Sequence, residues 1–208
     1  MRLDFQGRNI LCLSSMPPTA FDFGAFEQAT GLDRAATLVV NPQLAIAEYG
    51  RVQIVITPDG RLQFAAQPNA SRDLLRSAAG EVVCQVSPYA PTGVGFNGLL
   101  RIQLADDETD PLTALLDESI IVERLGVQVT QRGLKLVYPL DDARATVEIA
   151  PDEADAQASI AGINRHYSSL PADDALNDAI SWFAALSDEF PALVRRLLAP
   201  VVGDQNAA

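Results

Sequence analysis

Histidine, lysine, tryptophan and cysteine are nearly missing from this chain. Its 208 residues include one histidine (His166), one lysine (Lys135), one tryptophan (Trp182) and two cysteines (Cys12 and Cys84). Each scarcity excludes something. A zinc site needs several His or Cys ligands at short spacing, so one histidine with two distant cysteines leaves no metal centre to expect. A disulfide framework needs more cysteines and a secretory context. Both thiols sit in apolar runs, Ile10–Leu13 and Val82–Cys84, and are expected to be buried small hydrophobes. The start of the chain lacks the apolar core of a signal peptide: its run is only Ile10-Leu11-Cys12-Leu13, preceded by Asp4. No stretch approaches the roughly 18 apolar residues of a membrane span. A cytoplasmic location is therefore the expectation.

Positive charge is also in short supply. Against 27 acidic residues stand 15 basic ones, a formal net charge of −12, and Arg195-Arg196 is the sole adjacent basic pair. Nucleic-acid binding rests on clustered Lys and Arg, so neither nucleic acid nor an anionic membrane is expected as a partner. Abundant Ala and Arg with almost no Lys point to a high-GC bacterial genome.

What is present is an ordinary globular composition, 48% hydrophobic and 20% charged, with enough apolar residues for a core. Strand signals dominate. Leu3–Leu13 reads as one or two short strands turning at Gly7-Arg8-Asn9. Ala36–Val40 is a β-branched run ending at the Asn41-Pro42 turn. Arg51–Ile56 and Arg61–Ala65 flank Pro58-Asp59-Gly60 and form an antiparallel hairpin. Ser71–Ala78 reads as a short helix stopped by Gly80, and Glu81–Val86 as a strand. Thr92–Leu104 is a long strand punctuated by glycines. Further strands are expected at Ile120–Arg124, Val127–Gln131, Leu134–Tyr138, Ala145–Ala150 and Ser159–Tyr167, with a turn at Gln131-Arg132-Gly133. Two helices follow. In the first, Leu176, Ile180, Phe183 and Leu186 share a face, and Pro171 fits its first turn. The second starts near Asp188, carries Phe190, Leu193, Val194 and Leu197, and ends at Pro200. A short helix within Ala20–Thr30, capped by Asp22 and stopped by Gly31, completes the pattern. The fold class is α+β, a mainly antiparallel sheet with helices on one face and two C-terminal helices. The chain reads as a single domain, 1–208. An alternative division has two similar halves, 1–104 and 119–200, joined by an acidic linker 105–118 that holds a short helical patch at 111–116. That division rests on two hairpins, each followed by a Gly-apolar-Asn step, Gly95-Phe96-Asn97 and Gly162-Ile163-Asn164.

No cofactor motif stands up. Gly93-Val94-Gly95-Phe96-Asn97-Gly98 has the G-x-G-x-x-G spacing of a dinucleotide fingerprint but lacks the strand-to-helix setting that makes it work. The acidic run Asp106–Asp110 lacks the alternating oxygens and central Gly of a calcium loop. His166 is the weak catalytic candidate, as a base oriented by Asp173 or Asp174, yet no G-x-S-x-G elbow presents a serine to it. Asn164, Arg165 and Tyr167 form the candidate binding edge, since Arg and Tyr are enriched at binding hot spots. The expected function is a non-catalytic interaction or assembly protein, binding a protein partner or its own copies, without cofactor or metal. A strongly acidic chain with antiparallel strands and two terminal helices also resembles, in architecture and charge alone, the SecB secretion chaperones. That resemblance implies a binder of unfolded chains. A hydrolase using His166 as base is the third reading.

Overall fold

The structure is a computed structural model, and it describes residues 1–105, 133–140 and 142–199. The acidic linker beyond Ala105 with its helical patch, the expected strands at 120–124 and 127–131, the turn leading into Gly133 and the stop at Pro200 lie outside the described residues. The elements are β1 (Arg2–Leu13), α1 (Phe23–Thr30), β2 (Thr37–Asn41), β3 (Leu44–Glu48), β4 (Val52–Ile56), β5 (Arg61–Ala66), α2 (Arg72–Val86), β6 (Gly93–Gln103), β7 (Leu134–Pro139), β8 (Arg144–Asp152), β9 (Asp155–Tyr167) and α3 (Asp173–Leu197). All nine strands join one antiparallel sheet in the order β2-β3-β4-β5-β1-β6-β9-β8-β7. The helices pack on one another and on one side of this sheet, giving the α+β architecture.

Period-two alternation explains the layering. Along β4 and β5, Val52, Ile54, Ile56, Leu62, Phe64 and Ala66 are buried while the residues between them are not. The same rhythm selects Ile10 and Cys12 on β1 and Val147 and Ile149 on β8. These side chains meet Phe26 from α1, Leu75 and Val82 from α2, and Phe183, Leu186 and Phe190 from α3 in one core cluster. The rings of Phe64, Phe183 and Phe96 form its centre, with centroids 6.3 and 5.8 Å apart.

The β4–β5 hairpin forms as expected. Gly60 takes φ 77° in its turn, and a Cβ there would fall 1.7 Å from the Ser14 carbonyl oxygen. The turn thus abuts the end of β1, where Ser14 N–H donates to the Gly60 carbonyl at 2.9 Å. Asp22 caps α1 as expected, accepting from Ala25 N–H, with Gly31 left-handed at the helix end, and Ser71 caps α2, accepting from Leu74 N–H.

Several expectations are corrected. Glu81–Val86 is not a strand; it is the second half of α2, which runs through Gly80. Helical spacing puts Leu75, Ala78, Ala79, Val82, Val83 and Val86 on one buried face, and that shared burial outweighs the β preference of three valines. The same rotation turns Cys84 outward, so only Cys12 is buried. Leu3–Leu13 has no turn at Gly7; it is one strand with a bulge between Phe5 and Gly7. Strand β3, Leu44–Glu48, has no counterpart among the expected elements. Pro171 precedes α3 instead of entering its first turn. Both C-terminal helical stretches are present, and they continue into each other as α3, with Pro191 inside. Proline removes one helical N–H, and the buried stripe Phe183, Leu186, Phe190 and Val194, shared by both stretches, holds the helix on the sheet across that gap.

Two measurements follow. Replacing the fully buried Phe183 by Ala should cost about 3–5 kcal/mol, read as a lower denaturant midpoint. In the native protein one thiol, Cys84, should react with a thiol reagent. Burial pushes the Cys12 thiol up to about 12, so Cys12 should react only after unfolding.

Candidate functional site

The helices of the described residues all lie on one side of the sheet, and alternation along β9 decides which candidate residues reach the other. Asn97 on β6 lies opposite Asn164 on β9, and Gly95 lies opposite His166. Asn164 and His166 therefore share the helix-free face. Arg165 and Tyr167 point the other way, toward α3. The three residues of the expected binding edge, Asn164, Arg165 and Tyr167, are divided between the two faces of the sheet.

On the helix side, Arg165 Nη1 donates to Asp178 of α3 at 2.7 Å, and its guanidinium lies 5.5 Å from the Tyr167 ring and 6.0 Å from that of Trp182. Tyr167 is buried, edge-on to Phe96 with centroids 6.2 Å apart, and burial pushes its phenol up from the ordinary value. This group fastens α3 to β9.

On the open face, three asparagines line up across the three central strands. Asn164 Nδ2 donates to Asn97 Oδ1, and Asn97 Nδ2 donates to Asn9 Oδ1 at 2.9 Å. Donors all run one way, so each amide polarises the next. Glycine makes room for the row: a Cβ on Gly95 would come within 3.2 Å of Asn164 Nδ2. The G-x-G-x-x-G run lies wholly within β6, with no helix following Gly98. Its glycines serve close packing on both faces. Gly95 lies beneath the amide row, whereas a Cβ on Gly98 would meet Ile163, Leu186 and Phe190. The row joins the two Gly-apolar-Asn steps singled out in the sequence, which pair at Asn97 and Asn164.

His166 is exposed beside this row. It lines a cavity of about 620 Å³ with Asp142, Arg144, Ser168 and residues of the β7–β8 turn. No hydrogen bond joins His166 to Asp142 or Ser168 among the described residues, so the relay that would activate a hydroxyl is not assembled there. Asp173 and Asp174, the carboxylates expected to orient the histidine, open α3 instead. Among the described residues no group of three or more His, Cys, Asp and Glu could hold a metal ion. No helix of the described residues is long and apolar enough to cross a membrane.

Sequence reasoning missed a second feature, the distribution of exposed apolar side chains. Leu38, Val39 and Val40 on β2 and Leu136, Val137 and Tyr138 on β7 are all exposed, and these are the two outermost of the described strands. Leu13 and Leu99 add single exposed positions between them. Proteins usually blunt sheet edges with charge, proline or a bulge. Strand β7 carries Lys135, paired with Glu148 of β8 at 3.2 Å, whereas β2 carries no charge. An uncharged β-branched run was legible in the sequence. Its position at an edge was not.

Asn97→Ala should cost about 1–2 kcal/mol through the two broken amide bonds, while His166→Ala should stay within about 0.5 kcal/mol. Parallel denaturant titrations compare the two. No protein-family model matches the chain, and no curated protein matches it in sequence.

Proposed function

We propose that this chain is a non-catalytic interaction or assembly protein of a bacterial cytoplasm, working through contacts with protein and not with nucleic acid or membrane. The observation that carries this reading is the concentration of exposed apolar residues on β2 and β7, the two outermost of the described strands. Net charge −12 with dispersed arginines argues against phosphate-backbone partners. The exposed and unoriented His166 supports a role outside acid–base chemistry. On the helix-free face, Asn164 offers polar contacts through the amide row. Arg165 and Tyr167 contribute by fixing α3.

A second reading, a SecB-like binder of unfolded chains, has one observation in its favour. A groove of about 590 Å³ runs along α3, lined by Tyr138, Trp182, Phe190, Leu193 and other residues. Apolar grooves of that kind accept extended hydrophobic segments.

Two assays on the full chain separate the readings. A panel of ester, peptide and phosphate substrates should show no turnover that His166→Ala abolishes; such turnover in a folded protein would move the chain to the hydrolase class. Fluorescence anisotropy with a reduced, carboxymethylated polypeptide should show no saturable binding. Saturable binding lost in Trp182→Ala would favour the chaperone reading.

A further inference from the structure

Strand β2 is open to solvent along its whole length, while its hairpin partner β3 buries Ala45 and Ala47. Leu38, Val39 and Val40 are 52%, 43% and 44% exposed, and all five residues of β2 are open to solvent. From Ala35 to Ala47 the chain has no ionisable side chain, in a protein where one residue in five is charged. The hairpin turns at Pro42-Gln43, with Asn41 Oδ1 accepting from the backbone N–H of Gln43 and Leu44. Among the described residues no further strand lies beyond β2 in the sheet.

We infer that β2 is a homodimerisation edge, on which a second copy of this chain pairs its own β2 antiparallel across a two-fold axis at Val39. This rests on the assembly reading above and specifies its partner. Charge selects the occupant. Two copies of a −12 chain repel each other over most approaches, and the uncharged stretch 35–47, bounded by Glu48 at the end of β3, is where they can meet with the fewest like charges together. Side-chain chemistry is self-complementary about Val39. Antiparallel pairing sets Leu38 opposite the partner's Val40, Val39 opposite the partner's Val39 and Thr37 opposite the partner's Asn41, so apolar meets apolar and polar meets polar. Leu38 and Val40 point to the helix side, in register with Ala47 and Ala45, while Val39 continues the open-face row through Ile46 and Val55. Pairing would therefore extend both layers of the protein. Strand β7 is the poorer edge for self-association, since Lys135 would add charge to the contact.

Size sets the affinity. A five-residue strand spans about 17 Å, and its pairing covers less than the roughly 800 Å² per partner of a standard stable interface. The dimer is accordingly reversible, with dissociation in the micromolar range.

Sedimentation velocity of the full chain from about 5 to about 200 µM spans that range. The mass should rise from 22.3 kDa toward twice that value. Val39→Lys, at an exposed site that the fold does not need, should remain monomeric throughout. Val137→Lys on the other edge should dimerise like the parent. Hydrogen exchange gives a second reading: the amides of residues 37–41 should gain protection with concentration in the parent and not in Val39→Lys. A parent that stays monomeric at the highest concentration overturns the inference, as does a dimer that survives Val39→Lys or is lost in Val137→Lys. A monomeric parent without His166-dependent turnover would remove the dimer and leave the non-catalytic reading standing. His166-dependent turnover would remove that reading whatever the mass.

Discussion

The packing of α3 on the sheet turns on Arg8. This residue sits on the central strand β1, faces the helices and is only 3% exposed. Its Nη1 donates to the carbonyls of Phe183 and Ala184 at 2.9 and 3.0 Å, and its guanidinium lies 4.8 Å from the Phe5 ring centroid. Burial holds its pKa down to about 10, with Asp188 opposing that shift and Arg72 adding to it. Carbonyl dipoles and ring faces replace part of the lost hydration, while Nε and Nη2 are buried without a hydrogen-bond partner among the described residues. The neighbours opposite Arg8 are small, Ala66 on β5 and Gly98 on β6. They leave the space in which the side chain lies flat beneath the helix. With α3 seated there, Phe183 reaches Phe64 and Phe96, and strands on both sides of β1 are covered by one helix.

That arrangement has a consequence for function. Every helix in the described residues lies on the same side, so the opposite face must satisfy itself. At its centre the asparagine row does so by bonding side chain to side chain across β1, β6 and β9. Toward β2 one cross-strand row of this face, Val55, Ile46 and Val39, is apolar.

The candidate residues show how far a one-dimensional reading reaches. Asn164, Arg165 and Tyr167 read as one recognition edge because they are near neighbours and polar or aromatic. In a strand, adjacency means opposite faces, so Arg165 and Tyr167 became part of the attachment of α3 while Asn164 and His166 stayed outside. Likewise Glu81–Val86 looked like a strand from its valines. The buried stripe begun by Leu75 and Ala78 carried the helix through. Composition identifies side chains that want burial, and neighbours in space decide which direction is inside.

Alternating strands, the Gly60 turn, the helix caps and the apolar stripe of α3 were determined by the sequence itself, because each is a local pattern of period, φ preference or side-chain hydrogen bonding. The register that lines up Asn9, Asn97 and Asn164 depends on residues 67 and 88 positions apart, and no local rule contains it. The burial of Arg8 depends on a helix about 175 residues away. The same holds for the two outermost strands. Thr37–Asn41 and Val52–Ile56 read alike as apolar strands, yet one lies at the rim in water and the other inside the sheet. Strand order decides between them, and strand order is set by which pairings let the whole sheet bury a single face beneath the helices.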